Sequence, residues 1–317
     1  MPALYLSEDD VCDVMDMEAS VKVVEEAFQH LAAGRAQNVP RTRAGAPGVM
    51  LHSMSAGADY VGMVGFKAYT TTKHGARFHV VVYDTDGEML AVIEADHLGR
   101  LRTGAASGVA TECMARPDAK AVGIFGTGKQ ARTQLKAVCT VRNIERVDVY
   151  TPNAEHCRHF AEEMSEWCVT RVLPVFAPDE AAAEKDIVIT ATNSRTPVFD
   201  GAVIDEGTHL NVVGSNFLAK AEVDLTTLRR ADHIVCDSVE QCRLEAGDLA
   251  RGVEEGIRDW RSMHDLADVV AGRQTGRATP QDITFFKSVG MAIEDVAMAA
   301  EILKRAEASG LGRPLPF

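Results

Sequence analysis

Residues 121–131, AVGIFGTGKQA, run from an apolar stretch of strand character into Gly126-Thr127-Gly128 and straight on into the helical pattern KQARTQLKAVCTVR. This spacing is suited to holding the pyrophosphate of a dinucleotide. Gly126 permits a tight turn, Gly128 removes the side chain that would keep the backbone from a phosphate, and Ala131 lets the helix pack close to the strand. The helix start at Thr127, Lys129 and Gln130 then offers N–H donors and a partial positive charge. A glycine turn alone is weak, because ordinary βα turns share it. Here a strand precedes it, a helix follows, and a second strand, ERVDVYTP at 145–152, completes the context.

The end of that second strand is where an adenosine ribose is read, and an NAD-specific site usually places Asp or Glu there. This chain has Thr151, followed by Pro152 and Asn153. Without the carboxylate a 2′-phosphate is not repelled, and Thr151, Asn153 or Arg158 is able to bind it. The expected cofactor is therefore NADP(H), with NAD(H) also admitted because no strong phosphate clamp is present and Glu155 is close.

Composition narrows the field. Lys and Arg number 33 against 46 Asp and Glu, a formal charge of −13, which argues against nucleic acid or an anionic membrane as partner. No basic-then-apolar leader opens the chain and no apolar run reaches membrane-spanning length, so a cytoplasmic protein is expected. The seven cysteines lack CxxC spacing and read as reduced thiols. The histidines show no metal-ligand spacing, and neither a GxSxG elbow nor a Walker lysine motif occurs, so no metal, hydrolase or P-loop chemistry is predicted.

The elements that must position the phosphate turn follow a clear order. Ser7-Glu8-Asp9-Asp10 is a capping-box pattern, and EASVKVVEEAFQHLAAG has helical spacing that stops at Gly34. From Val49 to Ile93 short strand-like pieces suggest an antiparallel sheet or half-barrel. Arg102-Thr103 is followed by a helix of small residues, GAASGVATECMA. Beyond the phosphate turn, apolar runs at 172–176, 186–192, 209–215, 233–238 and 283–290 alternate with helices or loops, which means βαβ units and a parallel sheet. After Gly290, MAIEDVAMAAEILKRAEAS is one amphipathic helix, expected to return to the first domain.

Several segments together resemble the ornithine cyclodeaminase and mu-crystallin family: RTGAASGVAT (102–111), GIFGTGKQARTQL (123–135), DIVITATNSRTPVF (186–199), NVVGSN with AEVD (211–224), EAGDL (245–249) and FKSVGMAIEDVAMA (286–299). The resemblance implies an α/β fold in which a Rossmann-type doubly wound parallel sheet is inserted into a second α+β domain for substrate binding and dimerisation. The expected division is 1–115 plus 290–317 for the substrate domain and 116–289 for the nucleotide domain, in a homodimer.

It also implies site residues. Arg41, Lys67 and Arg102 match the family's carboxylate-binding cations, with Arg43 an alternative to Arg41 if the register slips; each would otherwise be a solvated charge. Arg102, placed before a helix, would gain N–H donors from it. Asp224 matches an acid facing the substrate nitrogen, but an Asp before LTTLRRAD is also a good helix N-cap. Lys67 is the second candidate proton donor. Asn193, Ser215, Asn216 and Gly290 are implied around the nicotinamide ribose and carboxamide. The segment 67–84 departs from the family pattern, and Lys73, His74, Arg77 and His79 there either face the pocket and take a second substrate carboxylate or form an exposed basic hairpin.

Three functions follow from the resemblance. The first is an NAD(P)-dependent oxidoreductase moving a hydride between nicotinamide and the Cα of a small α-amino or α-imino acid. The second is an ammonia-releasing ornithine or lysine cyclodeaminase with catalytic NAD. The third is a crystallin-like NADPH and ligand binding protein, to which the cations and Asp224 together would be superfluous.

Overall fold

The computed structural model describes residues 2–316, which divide into two compact units, 2–103 with 290–316 and 104–289. The first unit opens with strand β1 (Leu4–Leu6), helix α1 (Glu8–Val14) and helix α2 (Met17–Ala32). Ser7 and Asp10 exchange the two hydrogen bonds of a capping box at the start of α1. Four long strands follow as antiparallel neighbours: β2 (Ala36–Ala46), β3 (Val49–Ala58), β4 (Met63–Thr72) and β5 (Gly75–Asp84), then β6 (Met89–Glu94). The sequence pattern missed β2, whose alternation is blurred by Pro40, Arg41 and Arg43. Helix α3 (Asp96–Met114) begins well before the stretch of small residues. Arg102 therefore lies inside a helix, not ahead of one, and the N–H groups expected beside it are spent within the helix.

The second unit carries eight strands, all paired in parallel. They are β7 (Ala121–Phe125), β8 (Arg146–Tyr150), β9 (Arg171–Pro174), β10 (Ile187–Thr190), β11 (His209–Val212), β12 (His233–Cys236), β13 (His264–Asp265) and β14 (Thr284–Lys287). Helices α4 (Lys129–Val141), α5 (Ala154–Trp167), α6 (Leu225–Arg230), α7 (Val239–Glu245), α8 (Gly247–Glu254) and α9 (Leu266–Val270) connect them. Alternate residues of β7 feed two cores. Val122 and Ile124 pack with Leu135, Val149 and Phe160, whereas Phe125 packs with Val188, Leu210 and Phe285. The sheet order β9-β8-β7-β10-β11 reverses direction between β7 and β10, the switch point at which such sheets bind ligands beyond their carboxyl ends.

Helix α10 (Ala292–Ser309) and strand β15 (Arg313–Pro314) return to the first unit, where α10 packs on β2, β3, β4 and β5. The unit's seven-stranded sheet runs β15-β1-β6-β5-β4-β3-β2, so β2 is an edge. Asn38 on β2 accepts hydrogen bonds from the Ala292 and Ile293 amides (2.8 and 3.2 Å) and so fixes where α10 starts. Among the described residues, no helix is long and apolar enough to cross a membrane.

Candidate active site: a dinucleotide cavity and a buried charge cluster

A cavity of about 800 Å³ opens at the switch point of the second unit. It is lined by the whole turn from Gly126 to Gln130, by Tyr150, Thr151 and Pro152 after β8, and by the loop Ala191–Ser194 after β10. Gly126 has φ +102°, and a Cβ there would meet the Ala191 carbonyl oxygen at 2.4 Å, so only glycine fits this turn. At Gly128 a Cβ would meet nothing within 4 Å, so the room beside it is open to a ligand. No side chain caps α4. Arg132 steadies the turn from behind, donating to the Thr127 carbonyl at 2.6 Å while paired with Glu163. Ala131 is fully buried under the helix and shapes the packing without lining the cavity.

Other expected cofactor residues fall in different places. Thr151 and Asn193 line the cavity, and so does His156, which the sequence did not single out. The Asn153 side chain is the N-cap of α5, accepting from the Glu155 and His156 amides. The Arg158 guanidinium lies 5.6 Å from the Phe176 ring centroid. Ser215 and Asn216 follow β11 in the loop after Gly214, which lines the cavity while they do not.

Asp224 caps α6. Its carboxylate accepts from the Thr227 amide (2.7 Å), the Thr227 hydroxyl (2.8 Å) and the Gly201 amide (3.1 Å), and it does not line the cavity. The cap, one of the two readings open from sequence, is present. Beside it the sequence concealed a buried network. Glu222 accepts from the amides of Thr192 and Gly214 and from the hydroxyls of Thr190 and Thr192. Asp248 accepts from the Glu222 and Val223 amides and pairs with Lys287 at 2.7 Å. Burial pushes the Glu222 carboxyl up, with Lys287 opposing it.

The cations expected to clamp a carboxylate lie together in the first unit. Arg41, Lys67 and Arg102 are all buried, and with them the sequence reading missed Glu294 and Asp295, two adjacent acids in the first turn of α10 that are inaccessible to solvent. Lys67 pairs with Asp295 at 2.8 Å, and Arg102 bonds both Asp295 (3.2 Å) and Glu294 (2.8 Å). A bulge between Val39 and Thr42 turns Arg41 inward, where it donates to the Gly290 carbonyl at 3.3 Å. Arg43, the alternative to Arg41, is half-exposed.

Two glycines clear the space. At Gly99 a Cβ would stand 2.8 Å from the Lys67 ammonium, and at Gly290 (φ +82°) it would stand 2.4 Å from the Arg102 guanidinium. Gly290 was expected at the nicotinamide; within its unit it makes room for Arg102. Arg41, Lys67 and Arg102 are gathered with the buried acids Glu294 and Asp295 in one cluster. Burial pulls Lys67 down to about 8, with Asp295 opposing that shift and Arg102 and Arg41 adding to it.

The sequence profile of the ornithine cyclodeaminase/mu-crystallin family matches residues 3–310. The chain belongs to this family. Among its relatives in the family is a Delta(1)-pyrroline-2-carboxylate reductase from Bacillus cereus, 37% identical over 232 residues that cover 73% of this chain and 71% of the relative. The same reductase from Thermococcus litoralis, solved in complex with NADH and L-proline, superposes with a TM-score of 0.95 at 36% identity, covering 98% of this chain and 100% of that one. An archaeal alanine dehydrogenase dimer with bound NAD superposes with a TM-score of 0.94 at 30% identity, each chain being covered in full (100%). This family member is a nicotinamide-dependent oxidoreductase.

Proposed function

We propose that the enzyme reduces a small α-imino acid bearing a single carboxylate to the corresponding α-amino acid, and that it works as a homodimer. The observation that carries this reading is the convergence of three buried cations, Arg41, Lys67 and Arg102, in one cluster. A substrate carboxylate that leaves water is costly to bury unless it is paired, and such cations pair with it. Arginine favours bidentate pairing with a carboxylate, so Arg41 and Arg102 bind and orient it.

The bound nicotinamide supplies a hydride for the imine carbon. The imine nitrogen must gain a proton as the C=N π pair becomes an N–H bond. Lys67 is the donor this reading assigns: its burial holds it near the pH at which a general acid is effective. Asp224, held by three donors as a cap, positions α6 and takes no proton. Lys73, His74, Arg77 and His79 are exposed along the β4–β5 hairpin, which supports a substrate with one carboxylate and not two. Residues Gly126 to Gln130 would hold the pyrophosphate. Thr151 and His156, with no acid at the end of β8, favour NADP(H) over NAD(H).

The test is dihydronicotinamide consumption with Δ1-pyrroline-2-carboxylate, with pyruvate plus ammonia and with oxaloacetate plus ammonia, alongside ornithine with catalytic NAD+. Stoichiometric oxidation with a monocarboxylic imine is expected. Ammonia release from ornithine without net cofactor consumption would make the enzyme a cyclodeaminase instead.

A further inference from the structure

The parallel ladder between β10 and β11 ends beside the switch point. Its last bond runs from the Val213 amide to the Thr190 carbonyl at 3.0 Å, and beyond it the two chains continue as loops that line the cavity. Glu222 joins those loops. Its Oε1 accepts from the Thr192 amide and hydroxyl, both at 2.7 Å, and its Oε2 accepts from the Gly214 amide at 2.7 Å and the Thr190 hydroxyl at 3.0 Å. Thr192 in turn accepts from the Ser194 amide at 3.1 Å, and the Glu222 carbonyl accepts from the Val198 amide at 2.9 Å. Thr192, Ser194, Val198 and Gly214 line the cavity, whereas Glu222 is fully buried and does not. The fit is close, for a Cβ at Gly214 would collide with the Glu222 carboxylate. From the core side Asp248, paired with Lys287, accepts from the Glu222 amide and fixes the residue in place.

The loops that Glu222 joins belong to one half of the cavity. Strand β8, which ends at Thr151, lies on one side of the switch point, and β10 and β11 lie on the other. A dinucleotide laid across such a crevice sets its adenosine over the first side and its nicotinamide riboside over the second. We infer that Glu222 is a positioning residue for the nicotinamide: it holds the loops after β10 and β11 in one arrangement and so sets where the nicotinamide riboside lies. The inference rests on the placement of the dinucleotide given above and not on which imine is reduced. The chemistry of the junction calls for a carboxylate. Four donors converge on its two oxygens, one backbone amide on each, and an amide N–H cannot turn to accept as a hydroxyl can. A glutamine of the same size must aim its NH2 group at the Thr192 amide or at the Gly214 amide. One of the two loops then loses its anchor, and a buried N–H is left without a partner.

The experiment measures by calorimetry how wild type, Glu222→Gln and Gly128→Val bind each whole dinucleotide and its adenosine half: NADPH with 2′,5′-ADP, and NADH with ADP. Glu222→Gln is expected to bind the dinucleotide about tenfold or more weakly than wild type, while its affinity for the adenosine half stays within about threefold. A general loosening of the unit would weaken whole and half alike. Equal losses on the two, or no loss on the dinucleotide, overturn the inference. Should Glu222→Gln fail to fold, Glu222→Asp is read in the same way: it keeps the charge near Lys287 but is one methylene too short to reach both loops. Gly128→Val separates this inference from the placement it rests on. Its side chain enters only the open room beside the phosphate turn, so it is expected to weaken whole and half together by about tenfold or more. If it weakens neither, the placement of the dinucleotide falls and the inference with it; if it weakens both and Glu222→Gln shows no contrast, the role of Glu222 alone is overturned.

Discussion

The molecule contains two buried lysine–carboxylate clusters, and they differ in how completely they are satisfied. In the second unit Lys287 meets Asp248, and the Asp248 and Glu222 oxygens collect backbone amides and hydroxyls from the ends of β10 and β11. In the first unit Lys67 and Arg102 bond Asp295 and Glu294, and Asp295 Oδ2 is buried without a hydrogen-bond partner. Burial alone therefore does not mark a site, since both clusters are equally dry. The mark is incompleteness. A closed network holds a loop in place, whereas one with an unmet polar atom has room to be completed by a ligand.

The largest effect expected from this contrast is on catalysis. Lys67→Met and Arg102→Met should each lower kcat/KM for the imine by about 30-fold to several thousand-fold, the range for losing one partner of a desolvated charge pair at about 2–5 kcal/mol, while NADPH affinity stays within about twofold. Steady-state kinetics with a cofactor titration checks this, and a parallel loss of NADPH binding would break the comparison.

Stability should respond the other way round. Lys287→Met strands Asp248 and should cost about 3–5 kcal/mol, seen as a fall in Tm on the order of 10 °C. Lys67→Met leaves its partner Asp295 still bonded to Arg102, so its Tm should fall by less than that of Lys287→Met. Equal melting losses in the two variants would show that both clusters are structural.

A pH profile sharpens the same point. Lys67 is held near 8, so the protonated form that serves both clamp and proton transfer is present below that pH and is lost above it. For imine reduction kcat/KM should fall about tenfold per pH unit above roughly 8, and Lys67→Arg should abolish this alkaline limb even if its rate is low. Between about 8 and 10.5 the unfolded chain keeps a proton that the folded one has released, so this group's contribution to stability grows as pH rises through that window.

The smaller effects concern residues outside the charge cluster. Thr151→Asp should weaken NADPH by at least about tenfold relative to NADH, because a carboxylate at the end of β8 repels a 2′-phosphate; fluorescence titration of both cofactors decides it. Asp224→Ala should cost about 1 kcal/mol of stability as a lost cap and leave kcat within about twofold. A much larger fall in kcat would restore Asp224 as the proton-transfer group.

What could be read from sequence follows the range of the interactions. The phosphate turn was legible because a strand, a glycine turn and a helix are local signals, and the central strands were legible because parallel strands buried on both faces read as unbroken apolar runs. Strand β2 was missed because a bulge interrupts its alternation, and the start of α3 was misplaced because its first turns look polar. The partners of the cations were invisible for a different reason. Glu294 and Asp295 lie almost 200 residues from Arg102 and sit in a helix whose amphipathic pattern makes two acids look like a solvated first turn.

The central claim is that the Lys67 cluster awaits a carboxylate, and proton uptake on ligand binding tests it most directly. Pyrrole-2-carboxylate, which carries no titrating amine, is bound to the NADP-loaded enzyme at about pH 8 in buffers of different ionisation enthalpy. A carboxylate arriving beside Lys67 should raise its pKa and draw about half a proton per site from solution, and none in Lys67→Met. Binding without proton uptake, or with the same uptake in Lys67→Met, would contradict the account.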